Sequence, residues 1–396
     1  VSQNRATVTP IEDRNAWDAA VEALGGHPLQ LWGWGEVKAA HGWQVERLLV
    51  TGTAASGSVT GTAASGSVAA PDSGAAVTGT PLGAAEVAYR SLPWPLRSLA
   101  YVSRGPVGDP ERAAEVLDAV AAHVKATRGS VALVVEPDWE AGSAGEARLT
   151  AAGFHRTDST ILIPRTLILD LTRTEDELMA AMHRTTRANV RKNLRSDLEF
   201  RRVASETELE KILALYRDTA ARAGFGIHGD DYYRDIWRFL GENSPIVAAF
   251  DGGEPIAFVW IARSGSTAFE LYGGVSPAGQ KARANYGVKW AAFTEMKADG
   301  CTRYDLNGLL NDGISDFKKQ FAQHEDQLTG TWDLPLSPLY PVYARAMPLA
   351  RKAVTRARPA AKAALAGAVP AARRVVGGAL PAVRSLVSKA RSRSGR

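Results

Sequence analysis

Arg303–Phe321, RYDLNGLLNDGISDFKKQF, begins as a short strand (Tyr304, Asp305, Leu306), breaks at Asn307-Gly308 and re-enters helix near Ile314. Asn-Gly is turn chemistry, because both residues accept left-handed backbone. The helix that follows sets Phe317 beside Lys318, with Phe321 one turn later. The rest of the chain reads as building a cleft around this stretch.

Working outward, strands and helices alternate on both sides of a break near residue 165. The layout implies two α/β units of similar size, 1–164 and 165–335, each with a mixed, twisted sheet flanked by helices. Two segments fall outside that pattern. Within 51–80 the nonapeptide TGTAASGSV occurs twice in tandem, with no charge before Asp72 and no large side chain. Such a stretch buries too little apolar surface to offset its ordering entropy and reads as a flexible insertion at a hairpin tip. From 336 onward the chain becomes rich in Ala, Pro and Arg, with Pro348, Pro359, Pro370 and Pro381 eleven residues apart. Each proline closes a short, potentially amphipathic helix.

The net charge of +5 conceals an asymmetry. Thirteen Lys or Arg and no acidic residue follow from Arg345 to the end, so everything before carries 5 − 13 = −8. A basic tail on an acidic body implies a polyanionic contact, an anionic membrane face or RNA. The single cysteine, Cys301, excludes an intrachain disulfide and fits a reducing compartment. No apolar leader and no run of ~18 apolar residues is present, so no transmembrane helix is expected. The seven histidines show no metal spacing, and no phosphate loop or Ser-His-Asp order occurs; neither a metal nor a bound cofactor is expected.

Several residues carry chemistry. In 30–43, Gln30, Trp34, Lys38 and Trp43 stand in and around a short helix that ends before Gly42; Trp34 and Trp43 read as core, and Lys38 is either a solvated surface lysine or a compact charge suited to phosphate. Asp109 precedes Pro110 and reads first as a helix N-terminal residue. Thr174 with Glu177 forms a capping box, and along the helix it opens Arg184, Arg187, Arg191 and Arg195 step by 3, 4 and 4 along one face. That stripe is either a solvated face or a phosphate-backbone contact. Arg222, beside Gly224, either caps carbonyls or meets phosphate. Tyr272 lies on a strand over 268–275, and Gln280–Ala284, at the start of the next helix, lacks the glycine that close backbone approach to a CoA pyrophosphate requires.

Taken together, the Tyr-Asp-x-x-Gly strand end, the Phe317-Lys318 helix, Gly330-Thr331, the 30–43 segment, the Arg104-Gly105-Pro106 turn and the Arg187-x-Asn189-x-Arg191-Lys192 run resemble the FemABX family. Its members are tRNA-dependent aminoacyltransferases of peptidoglycan bridge synthesis. The resemblance spans roughly 10–50 and 85–335 and implies two tandem GNAT-like (acyl-CoA N-acyltransferase-like) domains. It further implies Lys318 and Phe317 as catalytic residues, with Lys318 also neutralising tRNA phosphate, and Arg187 and Arg191 as tRNA contacts. Lys38, Arg222, Tyr272, Trp34 and Asp109 would bind the precursor. The activity so implied moves Gly, Ser or Ala from aminoacyl-tRNA to the stem-peptide amine of lipid II or UDP-MurNAc-pentapeptide. Such a protein would work in the cytoplasm, with the tail reaching the inner face of the plasma membrane. An acyl-CoA-dependent N-acyltransferase and a non-catalytic precursor-binding scaffold are the alternatives.

Overall fold

The structure, a computed structural model, describes residues 6–52, 79–310 and 312–347. Most of the 51–80 insertion and the tail from 348 lie outside them. Strands β1 (Thr7–Pro10), β2 (Gln44–Gly52), β3 (Thr80–Ser91), β4 (Ser98–Ser103), β5 (Val107–Gly108), β6 (Ala132–Glu136) and β7 (His155–Thr157) make up the first half. Between them run helices α1 (Arg14–Ala23), α2 (Trp32–Ala40), α3 (Ala113–Thr127) and α4 (Ala144–Ala151). The second half opens with β8 (Arg165–Thr166), β9 (Ile168–Asp170), α5 (Glu175–Ala181), α6 (Arg184–Asn193) and β10 (Glu199–Arg202). Helices α7 (Glu206–Ala223) and α8 (Asp230–Leu240) precede β11 (Ile246–Asp251), β12 (Glu254–Ser264) and β13 (Thr267–Val275). It closes with α9 (Pro277–Ala282), α10 (Ala284–Ala298), β14 (Arg303–Asp305), α11 (Gly313–Lys318), β15 (Asp326–Gln327) and β16 (Thr331–Pro335). The described residues through Pro338 form one compact unit; a second unit begins at Leu339, and in it residues 340–347 are helical.

The two sheets follow one plan. In the first, ordered β1-β2-β3-β4-β6-β16-β7 with β5 on β3, antiparallel strands β2, β3 and β4 are followed by α3 and by β6, parallel to β4. In the second, ordered β10-β11-β12-β13-β14-β9, antiparallel β11, β12 and β13 are followed by α9, α10 and β14, parallel to β13. This repetition is the tandem GNAT-like architecture. The place beyond the parallel strand is filled differently in each: β9 enters the second sheet from the connection between halves, and β16 returns from the far end to lie between β6 and β7. Thr331–Pro335, grouped with 165–335 from the sequence, therefore belongs to the first sheet.

Burial follows strand period. Along β12, Phe258, Trp260 and Ala262 join one apolar core, whereas Ala257, Val259 and Ile261 join another on the opposite face. The first of these cores is shared between halves: Trp17 and Val21 of α1 and Trp34 and Val37 of α2 meet Tyr216 of α7, Tyr233 and Ile236 of α8, and Trp260. Each fully buried large side chain contributes roughly 1.5–3 kcal/mol, so this core welds the halves together. The Trp-Gly-Trp-Gly segment owes its glycines to that weld. A Cβ on Gly33 would collide with the Phe239 carbonyl of α8, and one on Gly35 would fall 2.5 Å from Arg47 Nη2.

The connection between the halves contributes two short strands, β8 and β9, and one local expectation is corrected. The single helix expected to carry the arginine stripe is two helices, α5 and α6, parted at Met182-His183. Met182 is extended and buried in the second-half core, and His183 N–H donates to the Gln320 carbonyl. Arg195 falls past the end of α6.

Candidate active site

Strand β13 divides the candidate residues into two groups. Opposite it, Trp260 pairs with Tyr272 and Ile261 with Glu270, leaving Leu271 as the extra residue of a β-bulge. The bulge re-aims the strand, so that Leu271 and Tyr272 face the shared core while Glu270 faces α10.

On the shared-core side lies an aromatic floor. The Tyr272 ring centroid is 5.1 Å from that of Tyr233, 5.5 Å from Tyr216 and 6.0 Å from Trp260. Tyr232 continues this floor to the first half, where Lys38 Nζ donates to its hydroxyl at 3.2 Å and stands 4.5 Å from the Trp34 ring centroid. Burial lowers the Lys38 ammonium to about 8, against the pull of the Glu86 carboxylate. Burial also raises the Tyr272 phenol well above its usual range. Trp34, Lys38 and Tyr272 thus border one continuous aromatic surface. Arg222 stands at its margin, exposed, with Nη2 donating to the Val275 carbonyl at the end of β13.

On the other side Glu270 and Lys289, 6% and 4% exposed, form a buried ion pair through both carboxylate oxygens. Tyr304 donates its hydroxyl to Glu270 at 3.2 Å, and Asn307 Nδ2 donates to the Glu270 main-chain carbonyl at 3.0 Å. Asn307 adopts φ 53° and Gly308 φ 53°, as the Asn-Gly break implied. Their two carbonyls accept from Lys318 Nζ, with Gly308 O at 3.3 Å. Burial lowers Lys318 to about 8; the Glu270 carboxylate opposes that shift and Lys289 adds to it. Among the described residues two of its three N–H donors are thus occupied. Phe317 is half-buried, edge-on to Tyr286 and Phe321 at 5.1 and 5.2 Å, while Phe321 is core. Asp305 is fully buried and serves the loop, accepting from Thr166 Oγ1 and from Asn307 N–H at 2.7 Å.

Helix α6 adjoins this second group, since Thr186 Oγ1 and the Tyr286 hydroxyl both donate to Gln320 Oε1, at 3.1 and 3.4 Å. Arg191 is exposed. Arg187 instead turns back, donating to the Ala180 and Met182 carbonyls and capping the end of α5. Asp109 is apart from both groups, capping the turn Pro110–Arg112 by accepting from Glu111 N–H at 2.9 Å.

Glu270, Lys289, Tyr232 and the Asn307 side chain escaped sequence reasoning. Nothing in their spacing links a strand glutamate to a helix lysine 19 residues on; Asn307 alone left a trace, as turn chemistry.

The profile of the Acetyltransferase (GNAT) domain family matches residues 180–319. The chain is 28% identical over 231 residues to the lipid II:glycine glycyltransferase of Staphylococcus epidermidis, covering 55% of this chain and about half (49%) of that protein. It is 23% identical over 417 residues to the protein of the same name from Staphylococcus aureus, covering 83% and 93%. The crystal structure of FemX superposes with a TM-score of 0.70 at 20% identity, covering 85% of this chain and 99% of that one.

Proposed function

The chain belongs to the FemABX family, and from that footing we propose that it is an aminoacyltransferase acting on a peptidoglycan precursor, with an aminoacyl-tRNA as donor. Glycine is the amino acid favoured by the relatives' activity; serine and alanine are the remaining choices. The observation that carries the proposal is a pair of partly buried lysines: Lys38, beside the Trp34 and Tyr232 rings, and Lys318, held by the carbonyls of the Asn307-Gly308 loop that is tied to Glu270 of β13.

The chemistry is attack of a neutral stem-peptide amine on the ester carbonyl that links the amino acid to the terminal ribose. A C–N bond forms, the C–O bond breaks, and the proton lost by the amine ends on the departing ribose hydroxyl. Negative charge builds on the carbonyl oxygen, and the Lys318 ammonium offsets it. An aminoacyl ester is already activated, so positioning accounts for much of the remaining rate. Phe317 packs against the terminal adenosine, and Arg191, with Arg187 behind it, meets RNA phosphates. Lys38 and Arg222 hold the precursor's diphosphate over the floor formed by Trp34 and Tyr272. Asp109 has a structural capping role and is left out of this reading. The basic tail adds an attachment to anionic lipid.

Incubating the full chain with mixed charged tRNAs and both lipid-linked and UDP-linked precursors, then reading products by mass spectrometry, tests this. The expected product is a precursor heavier by one amino-acid residue, formed only with charged tRNA and lost in Lys318→Ala. An acyl adduct formed from an acyl-CoA, or no adduct under any condition, defeats the proposal.

A further inference from the structure

The most exposed large apolar side chain among the described residues is Trp94, at 92%. It sits at the tip of the β3–β4 hairpin, in Leu92-Pro93-Trp94-Pro95-Leu96-Arg97. The loop is closed at its base, Leu92 N–H donating to the Arg97 carbonyl at 2.8 Å, and at its tip, Leu96 N–H donating to the Pro93 carbonyl at 3.0 Å. An indole is thus held out into solvent on a braced support, a costly arrangement for a residue that ordinarily buries most of its surface.

The surroundings are cationic. Arg90, on β3, and Arg97, the last loop residue before β4, flank the tip, and the Arg97 guanidinium lies against Gly129, just past α3. Lys125 and Arg128 come from the end of that same helix. Over 87–103 and 119–131 there is no Asp or Glu. The carboxylate that reaches this end is Glu46, bonded to Arg128 at 2.6 Å. An amphipathic ring at the apex of a basic collar matches the bilayer interface, where Trp settles at headgroup depth and Arg or Lys faces lipid phosphate.

We infer that this hairpin is a membrane anchor: Trp94 enters the headgroup layer of an anionic bilayer, and Arg90, Arg97 and Lys125 face its phosphates, while Arg128 stays paired with Glu46. The anchor also has a sensible address. Strand β2 begins opposite Tyr89 near the end of β3, directly after the turn that closes α2, and Lys38 occupies the last turn of α2. The hairpin tip and Lys38 therefore stand at the same end of the first sheet. The inference does not depend on the transferase reading, and its test needs no substrate.

The full chain is titrated with phosphatidylcholine vesicles, with and without phosphatidylglycerol, carrying lipids brominated on their acyl chains. Emission from the ten tryptophans should be quenched by the anionic vesicles, and Trp94→Phe should abolish the quenching while leaving the thermal melt unchanged. Trp94→Ser should lower vesicle partitioning roughly tenfold, and Arg97→Gln about fivefold on anionic vesicles only. Equal quenching of wild type and Trp94→Phe would overturn the inference and move the contact elsewhere, the basic tail included. Absence of quenching in both would overturn it too, leaving Trp94 to a protein partner.

Discussion

Replacing Lys289 with methionine keeps the volume of the side chain but strips Glu270 of its counter-charge at a site where both residues are under a tenth exposed. Removing one partner of a buried ion pair costs about 3–5 kcal/mol, because the remaining charge is left uncompensated. Here the lower end applies, since Tyr304 still donates to the Glu270 carboxylate at 3.2 Å. Against a total stability of about 5–15 kcal/mol for a folded domain, a loss near 3 kcal/mol is large and measurable by urea denaturation. The double variant Lys289→Met/Glu270→Gln removes both charges and keeps an acceptor for Tyr304, so it should lie within about 1–2 kcal/mol of wild type. The cycle should then show a coupling of at least about 2 kcal/mol. Activity adds a second readout, because Glu270 and Tyr304 brace the Asn307-Gly308 loop whose carbonyls hold Lys318. Lys289→Met should lower kcat while barely changing KM for the precursor. Additive losses around the cycle, or a single-variant loss below about 1 kcal/mol, would show that the pair is not the buried brace described here.

Other expectations follow from the same geometry. Lys318 and Lys38 act as cations, and burial places both near 8; activity should therefore fall as pH rises through about 8, with Lys318 governing kcat and Lys38 governing KM for the precursor. Lys318→Arg keeps its charge to far higher pH and should remove the alkaline limb from kcat, which a pH–rate profile reads directly. The same two shifts act on stability in the opposite sense. The unfolded chain binds more protons between about pH 8 and 10.5, so stability should rise with pH across that window in denaturant titrations. Gly35→Ala would drive a methyl into the Arg47–Glu86 pair and should cost about 2–3 kcal/mol, seen as a lowered urea midpoint. Asp109→Ala should cost about 1 kcal/mol through its lost cap and leave kcat/KM unchanged; a changed KM for precursor would restore Asp109 as a substrate contact.

Much of the architecture was legible because the signals were local. Alternating strands and helices, the capping box at Thr174–Glu177 and the Asp109-Pro110 start all depend on neighbours in sequence, and the structure contains them. What escaped was long-range. The arginine stripe looked continuous because periodicity is blind to Met182, whose burial turns the backbone out of helix. Arg187 then finds α5 carbonyls nearer than any solvent-side ligand. Trp34 and Lys38 stood out by residue type, yet the reason for Gly33 and Gly35 appears only when α8 and the Arg47–Glu86 pair arrive beside them. The Glu270–Lys289 pair was invisible for the same reason: a lysine in an apolar helix announces nothing until the strand below it supplies the acid.

The return of β16 between β6 and β7 has a consequence for biosynthesis. While a ribosome is still making the second half, the first sheet lacks an inner member, and β6 stands as a raw margin with unsatisfied peptide groups. The nascent N-terminal half must therefore wait for some two hundred further residues before its last hydrogen-bond ladder can close. A gene fragment stopping near codon 164 should yield aggregates, and co-expressing the missing piece should rescue them. The halves are knitted by a thread that runs the length of translation.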